Sequence, residues 1–256
     1  MYQLHFQFNT KQQIISMIKN KKRENSCKKI NKLLIVIIIG LLSAFIAITL
    51  LVFLSTSFND FEESVYINIL QIVSRPTTVT MHIFTYASEW FVLLAICILF
   101  LAVPKTRKKI GTPLSISLAI SAVSNNIIKI IFRRDRPPRY RWLLTGFGST
   151  FNYSYPSGHA QNAVALYFAL AIVLIFNFKH IKPLIAPIVL CFALPLLIAF
   201  SRLYLSVHFF GDVLSGVLIG AACALSAIVL NQAFKHNKGL KKHKSLRIFI
   251  DFDNTI

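Results

Sequence analysis

Charge is scarce in this chain. Only 14% of its 256 residues are Asp, Glu, Lys or Arg, where a soluble domain of that length carries about 25%. Beside a 55% hydrophobic content, that shortage excludes an ordinary soluble domain and points to a membrane protein. Cysteine is sparse too: Cys27, Cys97, Cys191 and Cys223 form no CxxC or Cys/His metal spacing. This excludes a disulfide framework or a structural zinc site and leaves small apolar core residues. No small-x-small cleavage site follows the first apolar run, which is also too long for a leader's hydrophobic region, so it reads as an anchor. No internal repeat divides the chain, which therefore reads as one membrane domain.

Apolar runs are what the chain has in abundance. They cover residues 33–55, 85–103, 112–132, 159–178, 184–200 and 213–232, and each approaches the roughly 20 apolar residues that a helix needs to cross hydrocarbon. They predict an all-α fold, an integral-membrane bundle of six transmembrane helices. Glu89 falls inside the second run, Pro187 and Pro195 inside the fifth. The organisation that follows is a basic tail over 1–32, a six-span domain over 33–232 and a second basic tail over 233–256. Residues 56–84 read as an outer loop with an amphipathic stretch over 58–73, and 133–158 as the longest external connection. Its aromatics Tyr140, Trp142, Phe147, Phe151, Tyr153 and Tyr155 suit the headgroup level of a bilayer.

The net charge of +19 raises the question of nucleic acid, and its distribution answers it. Of 28 Lys and Arg, 20 lie in the two tails, in the 105–109 connection, or at Lys179 and Lys182. In a six-span topology all of these fall on one side, and the positive-inside rule makes that side, with both termini, cytoplasmic. The tails then serve topology and anionic lipid, with no nucleic-acid partner expected. The other eight are Arg75, Lys129, Arg133, Arg134, Arg136, Arg139, Arg141 and Arg202. They lie on the outer side, against the topological preference, and cations so placed usually have a task.

Seven of those eight cluster in or beside three polar islands, each at the outer end of an apolar run. The first is Lys129 to Pro137. If the helix continues, Lys129, Arg133 and Arg136, at i, i+4 and i+7, put three cations on one face. The second is Pro156-Ser157-Gly158-His159 at the start of a run, where free backbone N–H groups and the helix dipole favour an anion and glycine permits its close approach. The third is Ser201-Arg202 followed by His208 and Asp212. On a helix, a carboxylate four residues after a histidine would fix its tautomer and leave the other ring nitrogen as a nucleophile or base. Taken singly, each island has a plain reading: a snorkelling cluster, an N-cap, an i,i+4 pair. Span parity puts all three on the same aqueous face.

Together the islands resemble the type 2 phosphatidic acid phosphatase family, which shares its active site with acid phosphatases and vanadium haloperoxidases. The family pattern is Lys-x6-Arg-Pro, Pro-Ser-Gly-His, and Ser-Arg-x5-His-x3-Asp, and residues 129–137, 156–159 and 201–212 match it throughout. The resemblance implies that His208 is the nucleophile that takes the phosphoryl group, Asp212 its orienter and His159 the proton donor to the leaving group. It implies that Lys129, Arg136, Ser157, Gly158 and Arg202 hold the phosphoryl oxygens, with no metal and no cofactor. Phosphoryl transfer is mostly positioning and charge stabilisation, which suits such a set. Arg133, Arg134, Arg139 and Arg141 fall outside the motif and read as headgroup-recruiting or solvated loop charges.

The expected activity is hydrolysis of a lipid phosphomonoester or diphosphate on the extracytoplasmic face of a cell membrane. The family's candidate substrates are undecaprenyl diphosphate, phosphatidylglycerol phosphate, phosphatidic acid and lipid A. A phosphotransferase using the same site, or a scaffold or transporter that lost the chemistry, are the alternatives. The partners implied are the lipid phosphate and the bilayer, and no motif specifies an oligomeric state. Glu89 reads as an open structural partner for an outer cation. The tail Asp251-Phe-Asp253-Asn-Thr255 resembles the first motif of haloacid-dehalogenase phosphatases; without the rest of that fold it is expected to be inert.

Overall fold

The computed structural model describes residues 2–138, 153–178 and 182–253, with side chains for residue 25 and for 28–138, 153–178 and 182–234. Every regular element among the described residues is helical. In chain order these are α1 (Tyr2–Leu54), α2 (Thr56–Gln71), α3 (Arg75–Tyr86), α4 (Trp90–Ala102), α5 (Thr112–Phe132), α6 (Gly158–Asn177), α7 (Ile185–Tyr204) and α8 (Phe210–Asp253). A short turn, Pro104–Thr106, and a wider one, Arg107–Gly111, join α4 to α5. The loop residues Arg139, Tyr140, Arg141, Trp142, Phe147 and Phe151 lie outside the described residues, as do most side chains of the two basic tails.

Among the described residues five helical stretches are long and apolar enough to cross a membrane: Lys28–Leu54, Pro104–Phe132, Gly158–Asn177, Lys182–Tyr204 and Phe210–Phe234. The expected second span differs from its sequence reading. Its apolar part is α4, only 13 residues long, and the chain bends by 41° between α3 and α4. The break falls where polar groups compete for the backbone. Ser88 Oγ donates to the carbonyl of Thr85, and Glu89 takes an extended conformation as the N-cap of α4. The expected outer loop 56–84 is accordingly helical, as α2 and α3. Counting α3 and α4 as one bent span gives six. The fifth span is continuous despite its prolines: Pro187 sits in the first turn of α7, where its missing N–H costs nothing, and Pro195 is accommodated within it.

α6 and α8 form the centre of the bundle. More than half of each span is buried, against 11% for Lys28–Leu54. Small residues explain the centre: Ala160, Ala163, Ala165, Ala169 and Ala171 of α6 are buried, and α8 meets them with Gly216 and Gly220. Small residues four apart let helix backbones approach in lipid, where packing replaces the hydrophobic effect as the force between helices. Leu93 and Cys97 of α4, Leu114 of α5, Cys191 and Ile198 of α7 and Ile228 of α8 complete the core. Outward-facing Leu33, Val36, Ile39 and Ile46 of α1, with Val189 and Leu190 of α7, are exposed, a surface that suits acyl chains. Among the described residues Cys97, Cys191 and Cys223 are free and buried, as a core role requires.

One aromatic departs from its expected place at the headgroups. Tyr155 is fully buried, stacked on Phe45 and met edge-on by Phe53 and Phe132. Its hydroxyl shares hydrogen bonds with Thr49 at 2.5 Å and Ser215 at 2.8 Å. The polar tip of a buried tyrosine finds a partner in this way.

Candidate active site

The third island is shaped by the way α7 ends. Ser206 has a left-handed φ of 57°, uncommon for a residue with a side chain. The turn closes with Leu205 N–H on Ser201 O and Val207 N–H on Arg202 O. It delivers His208 just ahead of α8, so His208 and Asp212 do not share a helix face as the spacing suggested. Asp212 instead sits in the first turn of α8, fully buried, and its Oδ2 accepts the N–H of Phe209 at 2.9 Å.

The pair nevertheless meets, through an intermediary. Asp212 Oδ2 lies 3.6 Å from His208 Nδ1, beyond a direct hydrogen bond. Ser154 Oγ donates to Asp212 Oδ2 and stands 3.2 Å from His208 Nδ1. On the other side of the ring, Arg136 Nη1 is 3.3 Å from Nε2 and donates to the carbonyl of Val207 at 3.1 Å. A guanidinium can only donate, so Nε2 carries the lone pair and the ring proton sits on Nδ1, facing Ser154. Burial, with Arg136 and Arg202 adding to it and Asp212 opposing, holds His208 well below the usual histidine range. The result is a neutral imidazole with an available Nε2, which is a nucleophile's configuration.

The first island departs from its helical expectation. α5 stops at Phe132, and Arg133 takes a left-handed conformation, φ 45°, as its C-cap. The three cations therefore do not line one face. Arg133 is exposed, with Nε on the carbonyl of Ile130. Past that turn the chain runs without regular structure and carries Arg136 to His208. Lys129 Nζ donates to the carbonyl of Tyr153 at 2.5 Å, next to Ser154. Arg134, read from the sequence as a loop charge, points inward: it donates to Glu62 Oε2 at 2.5 Å and to Asp212 Oδ1 at 2.6 Å.

The second island is docked on the third. Ser157 N–H donates to the carbonyl of Asp212 at 2.9 Å. Gly158 opens α6 against Asn125, whose Oδ1 would lie 3.1 Å from a Cβ added at 158. Asn125 Nδ2 donates to Gln161 Oε1, and Gln161 Nε2 to Ser121 O and Ser124 Oγ, so the start of α6 is held by a buried polar network. Ser157 is fully buried and its hydroxyl has no hydrogen-bond partner among the described residues. Beside it, the first N–H groups of α6 have no partner within the helix. Such an orphaned donor at a helix N-terminus fits a phosphoryl oxygen.

His159 and Arg202 line a cavity of about 450 Å³ together with Thr85, Glu89, His82 and Tyr204. His159 Nε2 is 3.3 Å from Glu89 Oε1, so this histidine is a partner of Glu89, which the sequence left open. Arg202 is buried, with Nη1 3.2 Å from Thr85 Oγ1, and Thr85 in turn is hydrogen-bonded to Ser201. Among the described residues no three His, Cys, Asp or Glu are grouped to share a metal ion.

The structure thus gathers all eight residues singled out in the sequence at one end of the bundle, where α5 and α7 end and α6 and α8 begin: Lys129, Arg136, Ser157, Gly158, His159, Arg202, His208 and Asp212. Sequence reasoning missed Glu62, Ser154 and Arg134 and left the partner of Glu89 open. The scarcity of acids was the available signal. Glu62, Glu89, Asp135, Asp212, Asp60 and Glu63 are the acids with described side chains, and the first two and Asp212 all converge here.

The chain is similar to known proteins in sequence and in fold. Residues 110–236 match the model of the PAP2 superfamily. Phosphatidylglycerophosphatase B of Bacillus subtilis (strain 168) is 37% identical over 73 residues, covering 27% of this chain and 34% of that protein. The aligned stretch thus spans about a third of the curated relative's length. The crystal structure of the transmembrane PAP2-type phosphatidylglycerolphosphate phosphatase from Bacillus subtilis superposes with a TM-score of 0.65 at 20% identity, over 78% of this chain and 96% of that one. Aquifex aeolicus LpxE superposes with a TM-score of 0.50 at 24% identity, over 64% and 93%. At these identities the two crystal structures speak for the fold.

Proposed function

The chain belongs to the PAP2 superfamily through residues 110–236, and on that premise we propose that it is a multi-pass membrane lipid phosphatase working through a phosphohistidine. The observation that carries the proposal is His208: buried, with Nδ1 tied through Ser154 to Asp212 and Nε2 facing Arg136. In the proposed reaction Nε2 attacks phosphorus and the bond from phosphorus to the lipid oxygen breaks. His159 gives that oxygen a proton. Water, losing a proton to His159, then cleaves the N–P bond and releases inorganic phosphate. Lys129, Arg136 and Arg202 neutralise the equatorial oxygens, with the Ser157 hydroxyl and the backbone at Gly158 as further donors. Side-chain cations do here what metal ions do in other phosphoryl transfers, so this scheme needs no metal.

The substrate we infer is a lipid phosphomonoester or diphosphate. Phosphatidylglycerol phosphate is supported by the names of both Bacillus subtilis relatives; undecaprenyl diphosphate and phosphatidic acid present the same phosphate to the same cradle. We place the site on the extracytoplasmic face and both basic tails, 1–32 and 233–256, in the cytoplasm. The support is the one-sided distribution of 20 of the 28 Lys and Arg. The deciding experiment is phosphate release by purified protein across a panel of these lipids in water enriched in heavy oxygen. Hydrolysis predicts one solvent oxygen in each phosphate released without an acceptor, and none from His208→Ala protein that remains folded. Label-free phosphate appearing only on an added lipid or sugar would instead make the protein a phosphotransferase.

A further inference from the structure

Glu62 is the acid that the reaction above leaves unused. It sits on α2, the surface helix that follows the first span. Its flanking residues Phe61 and Glu63 are exposed, while Glu62 itself is 1% exposed. A carboxylate is buried so deeply only when its charge is answered. Two groups answer it. Oε1 accepts the N–H of Gly211 at 2.6 Å, and Arg134 donates to Oε2 at 2.5 Å. Gly211 immediately precedes Asp212, and a Cβ there would lie 2.8 Å from Glu62 Oε1 and 2.5 Å from Val52 Cγ2, so the close approach depends on glycine.

Arg134 is a fork between two carboxylates. Nη2 serves Glu62, while Nη1 serves Asp212 Oδ1 at 2.6 Å and Glu62 Oε1 at 3.4 Å. Its guanidinium carbon lies 4.7 Å from the centre of the Phe209 ring, which packs over it. Every oxygen of Asp212 is thereby assigned: Oδ1 to Arg134, Oδ2 to Ser154 and to Phe209 N–H. The carboxylate cannot rotate without breaking a contact. Sharing also divides the cation's charge. An Arg134 that answered Asp212 alone would draw the carboxylate away from the Ser154 hydroxyl and the ring proton of His208.

We propose that Glu62 is a positioning residue for phosphoryl transfer at His208, acting through Arg134 on Asp212, and that docking of α2 thereby completes the site. The proposal rests on the function proposed above. α2 is fitted for this docking: Phe61 meets Phe210 edge-on at 5.7 Å, and Tyr66 packs on Phe209 at 6.1 Å. These aromatic contacts and the Glu62 contacts grip the same residues, 209–211, that link the nucleophile to its orienter.

The test uses full-length protein in mixed micelles of detergent and phosphatidylglycerol phosphate or phosphatidic acid, whichever the unsubstituted protein turns over. Glu62→Gln keeps an acceptor for Gly211 and removes the charge. It is expected to lower kcat by about 10–100-fold, the scale on which a slightly misplaced group loses effectiveness. KM should stay within about twofold, because the residues that hold phosphate are untouched. The double variant Glu62→Gln with Arg134→Met should be no slower than Arg134→Met alone, because both act along one chain of contacts. Glu62→Gln protein with unchanged kcat, a loss carried by KM, or losses that multiply would each overturn the proposal. If Glu62→Gln fails to elute as folded protein, the double variant decides alone against the unsubstituted protein, since it leaves no charge at 62 or 134 unanswered; an unchanged kcat in it would overturn the proposal. Absence of phosphate release by the unsubstituted protein on every lipid tested would sink the functional reading itself. An active parent beside an indifferent Glu62→Gln sinks only the role of Glu62.

Discussion

Asp212 reaches His208 through Ser154: the two ring-facing atoms stand 3.6 Å apart, and the serine hydroxyl donates to the carboxylate while facing the imidazole Nδ1. Ser154→Ala should therefore weaken the orientation of the nucleophile without removing any charge. The lost buried hydrogen bond corresponds to about 1–3 kcal/mol, or roughly five- to 150-fold in kcat. Asp212→Asn should cost more, because it also leaves Arg134 with one carboxylate fewer. Steady-state kinetics of the two variants decide the point. Ser154→Ala protein as fast as its parent would show that Asp212 acts on His208 directly.

The resting state of His208 sets a pH dependence. Burial, with Arg136 and Arg202 close by and Asp212 opposing them, lowers its proton affinity. A lowered value means that the neutral, nucleophilic imidazole survives as pH falls through about 6.5, the ordinary histidine value. The acid limb of kcat/KM, which reports the free enzyme, is expected below that value. The substrate's own second phosphate ionisation lies near pH 6 and is separated by repeating the profile with a phosphorothioate analogue. An enzyme-borne limb at or above 6.5 would contradict the geometry.

His159, held at 3.3 Å by Glu89 in the wall of the cavity, is assigned the proton transfer to the leaving oxygen. Its loss should then depend on the leaving group. His159→Ala is expected to slow release from an alkyl phosphate by ~10²–10⁴-fold, the usual worth of general acid catalysis. An activated aryl phosphate, whose phenolate leaves without protonation, should suffer much less. Equal losses on both substrates would remove His159 from that role.

The donor set at the site is basic side chains, one hydroxyl and backbone amides. Excess chelator should therefore leave phosphate release unchanged in protein freed of divalent ions. Loss of turnover, restored by adding a divalent cation, would show that a metal ion shares the phosphate with Arg136, Lys129 and Arg202.

Short windows of sequence pointed to the candidate residues whose placement depends on chain neighbours, and missed those whose placement depends on distant ones. Helix ends, the Ser157-Gly158 turn and the one-sided charge are written in short windows, and they sufficed to gather Lys129, Arg136, His159, Arg202, His208 and Asp212. Arg133 broke the local rule: a left-handed C-cap is usually glycine or asparagine, and an arginine there ended the expected row of cations. Arg134, Glu62 and Ser154 were illegible for another reason. Their side-chain partners at the site lie 54 to 149 residues away, and no periodicity records such a contact. The second span, already interrupted in the sequence by Glu89, is bent at Ser88 and Glu89, and its apolar composition does not record the bend. Composition measures burial in lipid, not continuity of the helix.

The contact between α6 and α8 makes the last prediction. Gly216 faces the start of α6 so closely that a Cβ would stand 2.7 Å from the carbonyl oxygen of Ser157 and 3.3 Å from the backbone nitrogen of Gln161. Both are backbone atoms, so neither can swing aside. Ser157 is also bonded through its N–H to the carbonyl of Asp212, one turn before Gly216 on the same helix. A methyl group at 216 must therefore push apart the two elements that carry His159 and Asp212. Gly216→Ala is expected to cost about 1–3 kcal/mol in stability, the usual price of overpacking. Because the displaced atoms belong to the site, kcat should fall even at temperatures where the variant is fully folded. Gly40 is the control: nothing lies within 4 Å of a Cβ added there, so Gly40→Ala should leave turnover unchanged and the helix no less stable. Thermal unfolding and turnover measured on both variants give the comparison. A Gly216→Ala protein as stable and as fast as Gly40→Ala would mean that α6 and α8 can separate there without disturbing the histidine and carboxylate they position.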